Sequence, residues 1–217
     1  MRSDATQNRA RLLTAARDVF VERGPGVALD EIARRAGCGI ATLYRRFPDR
    51  TALMHAVIVD ALEHTIEQAE RAAAEEPDAF SALVRYMHAV LDLRTAAVIP
   101  ALLGAISLTD DPELLRVRTE GGRQVERLIA AAHQAGTLRP DVSFADIGVL
   151  VVRLSRPLPG SFTREQNDAL AHRHLDLVVA GLRAEAMTSG AALSGPALSH
   201  DDLRRLPPVT AEGESVS

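Results

Sequence analysis

The residues with the clearest chemical capacity stand together in IATLYRRF, positions 40–47. Arginine bridges the O6 and N7 acceptors of guanine, threonine reaches a base edge or a phosphate oxygen, a small apolar side chain touches a thymine methyl, and a tyrosine hydroxyl bonds phosphate. With Leu43 and Phe47 turned inward, a short helix here presents Ile40, Ala41, Thr42, Tyr44, Arg45 and Arg46 outward. Such a helix enters a DNA major groove only if a second helix braces it, and their crossing needs small apolar residues. The preceding LDEIARRAG offers Ala33 and Ala36 against Leu43 and Phe47, with Gly37 for a left-handed backbone position in the turn and Gly39 as a slim N-cap. An ordinary helical hairpin with a solvated arginine face has the same residue types, so types alone leave both readings open.

The elements around this hairpin follow from apolar spacing and caps. Ala10, Leu13, Ala16, Val19 and Phe20 give a helix from Thr6 to Arg23 that Gly24-Pro25-Gly26 ends. Asp49 caps one long helix running to roughly Glu76, along which Leu53, Val57, Ile58, Ala61, Leu62, Ile66 and Ala69 repeat without Gly or Pro. Further starts fall at Asp78, at Asp111 before Pro112, at Ser143 with Asp146, and at Thr163 with Gln166 as a capping box. Stops fall at Gly121-Gly122, there as an end or a kink, at Gly136, and at Pro157-Leu158-Pro159-Gly160; Pro100 should break or kink the apolar run that starts near Thr95. The pattern predicts an all-α fold of about nine helices with no convincing strand. From 186 the chain turns to Ser, Gly and Pro, and 186–217 is expected to be a mostly disordered tail in which only HDDLRRL is locally helical.

The 217 residues amount to between one and two domains at ~150 residues each, and 47% hydrophobic with 25% charged residues is an ordinary globular composition. There are 36 alanines and seven aromatic residues, which suits closely packed helices better than a sheet. All 25 basic residues are arginine, which excludes a P-loop lysine and a Schiff-base lysine. Residues 1–50 hold ten Arg against six acids, a net +4, and the remainder holds fifteen Arg against 23 acids, a net −8, so a basic end precedes an acidic body. One cysteine, Cys38, rules out an intrachain disulfide and a multi-thiolate metal site. A start without a signal pattern and the lack of an apolar run near ~18 residues point to a cytoplasmic protein with no membrane partner. No metal or cofactor is expected.

Residues 26–53, GVALDEIARRAGCGIATLYRRFPDRTAL, resemble the helix-turn-helix of the TetR family of transcriptional regulators, notably in A-G-x-x-x-x-T-L-Y-x-x-F-P. The likeness extends back through R-x-x-L-L-x-A-A-x-x-x-F-x-x-x-G, from Arg9 to Gly24, and covers about 45 residues. It implies that Thr42 and Arg45 approach base edges, that Tyr44 and Arg46 hold the DNA backbone, and that Arg50, where Lys is commoner, grips a phosphate. Two departures stand out. Val27-Ala28 replace the hydroxyl residue that often opens the second helix, removing a cap and leaving Glu31 only the N-cap N–H to satisfy, at about 1 kcal/mol. Ile40 and Ala41 replace the polar residue and Gly common at the start of the third helix.

The resemblance also implies a division into a DNA-binding head, 1–50, and a helical effector-binding and dimerisation domain, 51–185, whose last two helices pair with their copies in a homodimer. A repressor of this kind binds a palindromic DNA operator and is released by a small-molecule effector, here of unknown identity. Expected dimer contacts are Val149, Leu170, His174, Leu177, Val178 and Gly181. Expected apolar cavity walls are Ile58, Leu62, Met87, Leu91, Leu103, Ile106, Leu128 and Val152, with His88 and Arg153, and also Tyr86 and Arg94, as polar candidates. The alternative is a helical small-molecule-binding protein or regulator that has lost specific DNA binding; intact Thr42, Tyr44, Arg45, Arg46 and Arg50 argue against it. An enzyme is the less favoured class, since no Glu has a His three residues on and no G-x-S-x-G elbow occurs.

Overall fold

Local sequence signals set most helix boundaries. In the computed structural model, which describes residues 2–102, 105–106, 110–158, 160–189, 193–195 and 197–205, the α-helices are α1 (Arg2–Arg23), α2 (Leu29–Arg35), α3 (Ile40–Arg46), α4 (Arg50–Glu75), α5 (Ala79–Asp92), α6 (Thr95–Leu102), α7 (Pro112–Gln134), α8 (Phe144–Leu154), α9 (Arg164–Leu182) and α10 (His200–Arg205). A 3-10 turn spans Ala184–Ser189. The chain is all-α: no strand forms among the described residues, where an isolated bridge pairs Leu138 with Arg183. Asp49 accepts from Ala52 N at 2.8 Å, Asp78 from Ser81 N at 2.9 Å and Asp111 from Leu114 N at 3.0 Å, so each carboxylate fills an orphan donor of a first turn. Ser143 with Asp146 and Thr163 with Gln166 form the two capping boxes.

Three places bear on the expected boundaries. α7 passes through Gly121 and Gly122 without ending, although two mid-helix glycines cost about 1 kcal/mol each relative to alanine. Pro100 lies inside α6, which ends at Leu102. The helices number ten among the described residues: nine in the body and α10, which falls on HDDLRRL, the stretch of the tail expected to be locally helical. There Ala145 N donates to Leu198 O at 3.1 Å, so the chain before α10 is tied to the start of α8.

Two apolar cores form. The first joins α1, α2, α3 and the front of α4 with Val98 and Leu102 of α6 and Leu114 and Val117 of α7. The second joins the rear of α4 with α5, the rear of α7, α8 and α9. α4 contributes Leu53, Met54, Val57, Ile58, Ala61 and Leu62 to one and Ala69 and Ala72 to the other.

A belt of ion pairs ties α1 to the rest. Arg17 donates to Asp60 Oδ2 at 2.7 Å and to the Leu93 carbonyl at 2.9 Å. Asp18 lies 2.9 Å from Arg164 of α9 and 3.8 Å from Arg94, and Glu22 lies 3.6 Å from Arg94. Arg94 is buried at a φ of 51°, the one left-handed non-glycine among the described residues, so its side chain is held against local backbone preference. Arg35 bonds Glu22 at 2.5 and 2.9 Å and thereby holds that carboxyl below its ordinary range. This α1–α2 link is therefore complete above the ordinary carboxylate range and is lost as pH falls through the lowered value.

His88 and His172 join α5 to α9. Their rings are parallel to 2°, with centroids 5.0 Å and Nδ1 atoms 2.7 Å apart, so they meet edge to edge rather than face to face. The outer Nε2 atoms face Asp176 at 3.2 Å and Asp92 at 2.8 Å.

Removing Asp18 leaves Arg94 buried with only Glu22 beside it. Asp18→Ala should lower unfolding free energy by about 3 kcal/mol, as is typical when one member of a buried ion pair is deleted. Urea denaturation measures this, and the Asp18→Ala/Arg94→Ala double variant should be less destabilised than the sum of the singles.

Candidate nucleic-acid interface

α2 and α3 meet through a turn set by Gly37 at φ +71°, where Cys38 N donates to Ala33 O at 2.9 Å. Gly39 then serves as the N-cap of α3, extended at φ −76° and ψ 151° and without a side-chain cap. Ile32, Ala33 and Ala36 are buried with Leu43 and Phe47, and Cys38 packs partly buried against the same core. With Leu43 fully buried, helical geometry turns the rest of α3 outward. Ile40 is 39% and Tyr44 50% exposed, Ala41, Arg45 and Arg46 are exposed, and Thr42 is half-buried. Arg45 Nη2 donates to Thr42 Oγ1 at 3.2 Å, which orders two of the expected base-edge groups on one face. Arg9 of α1 stacks 5.8 Å from the Phe47 ring at the inner end of α3.

Arg50 has a task that its sequence position does not disclose. Its Nη1 donates to the Pro25 carbonyl at 2.7 Å and the Val27 carbonyl at 2.6 Å, so the start of α4 braces the turn before α2. α2 itself starts at Ala28 without a side-chain cap, as the missing hydroxyl predicts. Glu31 reaches Arg23 at 3.2 Å and so staples α2 to the end of α1 instead of closing a capping box.

Behind this head lies a cavity of about 250 Å3 between α4, α5, α6, α7 and α8, lined mainly by apolar side chains. Leu62 and Val152 line it as expected, and so does Tyr86, whose phenol burial pushes above its ordinary pKa and keeps protonated. Ile58, Met87 and Leu128 are instead spent in the filled cores. His88 turns to α9, Arg153 is exposed on α8, Ile106 packs against the first core, and Leu91 lines a separate small gap beside Arg94. Leu103 lies outside the described residues. The walls that spacing did not reveal include Thr65, Ile99, Arg118, Phe144, Ile147, Gly148 and His200. Apolar periodicity marks which face is inward but not where two inward faces leave a gap.

On α9, Leu175 and Leu182 turn inward while Leu177 is 67% exposed. His174 and Gly181 are exposed beside it, and Leu170 and Val178 are half-buried. Val149 differs from the other expected dimer contacts in lining the cavity. Among the described residues no cluster of three or more His, Cys, Asp or Glu is placed to hold a metal ion, and no helix is long and apolar enough to cross a membrane.

Comparison with known proteins agrees with this anatomy. Residues 12–57 match the family model for bacterial regulatory proteins of the tetR family, and residues 77–184 match the SbtR-like transcriptional regulator C-terminal domain. The crystal structure of a TetR transcription regulatory protein from Mycobacterium vanbaalenii is similar at 33% identity and a TM-score of 0.60, covering 84% of this chain and 98% of that one. The TetR transcriptional regulator SCO0520 from Streptomyces coelicolor is similar at 30% identity and a TM-score of 0.60, over 81% and 98% of the two chains. An HTH-type transcriptional regulator of Staphylococcus aureus strain USA300 shares 41% identity over 59 residues, 27% of this chain and about a third (32%) of the relative's length. With the head matched by one family model and nearly the whole of a one-third-identical regulator aligned to it, this chain belongs to the TetR family of transcriptional regulators.

Proposed function

We propose that this chain represses transcription as a homodimer that reads a palindromic DNA operator through two copies of α3 and is released by a small-molecule effector. The observation that carries this is the outward face of exposed Ile40, Ala41, Tyr44, Arg45 and Arg46 with half-buried Thr42, held there by buried Leu43 and Phe47. Thr42 and Arg45 read base edges, Tyr44 and Arg46 hold the backbone, and Arg50 both braces the head and faces phosphate. The α9 stripe of exposed His174, Leu177 and Gly181 with half-buried Leu170 and Val178 is the face that pairs with its copy, which sets the spacing of the two heads. Residues 1–50 act as the reading head and 51–185 as the effector and dimer domain.

The effector occupies the cavity beside α4. Leu62 and Thr65 of α4 line that cavity, while Arg50 of the same helix holds the turn before α2. A ligand that favours a different α4 pose therefore shifts the dimer from the DNA-competent spacing to another, in proportion to its differential affinity for the two.

A fluorescent duplex from the chain's own upstream region, titrated at two salt concentrations against unrelated competitor, tests the reading. Saturable binding that survives competitor and weakens steeply with salt is expected. Thr42→Ala and Arg45→Ala should each weaken it by about 1–3 kcal/mol, a tenfold to hundredfold loss. Equal binding to unrelated duplex would overturn it. Leu177→Arg should turn the dimer into a monomer in sedimentation and abolish tight operator binding. Arg50→Met, which keeps the stem and deletes both carbonyl bonds, should destabilise the head by about 1–3 kcal/mol. A phosphate contact by Arg50 is read separately, as a fall of about one in the salt slope.

A further inference from the structure

The matched C-terminal domain ends at residue 184, yet the chain beyond it returns to the body. Leu198 O accepts from Ala145 N at 3.1 Å, at the start of α8. Ser199 caps α10, its N and Oγ donating to Asp202 Oδ2 at 2.9 and 2.7 Å, and Leu203 N donates to Ser199 O at 3.2 Å. This tie and these caps aim His200 and Leu203 into the cavity wall.

His200 is 8% exposed and packs against Phe144 with ring centroids 4.8 Å apart. On its other side it lies directly on the backbone of α7 at Gly122. A Cβ there would overlap the imidazole, with Nδ1 and Nε2 both 2.6 Å away. Gly121 differs: a Cβ on it would meet only Ile66 Cγ1, at an ordinary 3.8 Å. The glycine at 122, unfavourable for the helix itself, is thus explained by the ring seated over it.

We propose that residues 197–203 form a lid on the effector cavity, locked by His200 in the notch that Gly122 leaves in α7, and that ligand binding competes with this lock. The proposal rests on reading that cavity as the effector site. With the lid seated, the space is about 250 Å3, below the ~300–1,000 Å3 of pockets for drug-sized ligands. A compact apolar ligand fits beneath the lid, whereas a larger aromatic one must lift His200 and Leu203 out. Effector size is thereby read by a segment outside the shared C-terminal domain.

Gly122→Ala tests this in the full-length chain, because it fills the notch while favouring the helix, and Gly121→Ala is the matched control. Hydrogen exchange reports the lid through the amides of Ala145, Asp202 and Leu203, and the dye 8-anilinonaphthalene-1-sulfonate serves as the cavity probe. In Gly122→Ala these amides should exchange at least tenfold faster and the dye should bind at least fivefold tighter, with the thermal midpoint no lower than that of Gly121→Ala. Gly121→Ala should match the parent within twofold in both readouts, and saturating dye on the parent should accelerate exchange of the same amides. Unchanged lid exchange in Gly122→Ala, a freed lid with unchanged dye affinity, or equal behaviour of the two variants would each overturn the proposal. Neither readout involves DNA, so failure of operator binding and failure of the lid are separable.

Discussion

The apolar stripe of α4 is buried in two cores at once. Leu53, Val57, Ile58 and Ala61 are wholly excluded from solvent in the core that α4 shares with α1, α6 and α7, while Ala69 and Ala72 pack on α5 and α7 further along. Each fully buried Leu, Ile or Val contributes about 1.5–3 kcal/mol of transfer free energy, so neither end of α4 can leave its neighbours cheaply. A helix of 26 residues, about 39 Å long at ~1.5 Å per residue, thus connects the reading head and the cavity as one stiff body. The position of α3 depends on it, because Arg50 at its first turn holds the carbonyls ahead of α2.

Charge completes what the apolar cores begin. The head is anchored along α1 by carboxylates and arginines drawn from α4, the α5–α6 turn and α9: Arg17 with Asp60, Asp18 with Arg164 and Arg94, and Glu22 with Arg94. Buried ion pairs add little net stability but penalise any arrangement that separates them. Such a belt permits few orientations of head relative to body. The left-handed backbone at Arg94 is the local cost of delivering its guanidinium to that belt.

The cavity is a place where the helices do not close upon each other. Its walls come from α4, α5, α6, α7 and α8, with His200 and Leu203 of the returning tail against them. Small residues in the walls, Gly121, Gly122 and Gly148, let backbone take the place of side chains there, so the space is shaped by what is missing from the helices as much as by what lines them.

The helices and the outward face of α3 are legible in local sequence. Asp49, Asp78, Asp111 and the Thr163–Gln166 pair cap within four residues of their own positions, and such bonds are legible locally. The inward Leu43 and Phe47 and the outward Thr42, Tyr44 and Arg45 follow from helical period alone. Tertiary structure decided the rest. Gly121-Gly122 read as an end or a kink because a glycine pair weakens an isolated helix, yet α7 continues through it, packed by α4, α5 and α8 and by His200. Ile58, Met87 and Leu128 read as cavity walls because they are apolar and inward, and only the fit of neighbouring helices sets which inward residues touch a partner and which face a gap. Arg50, His88 and His200 have partners 25 or fewer, 84 and 78 positions away; contacts at such separations are set by how helices stack, and residue type and spacing carry no record of it.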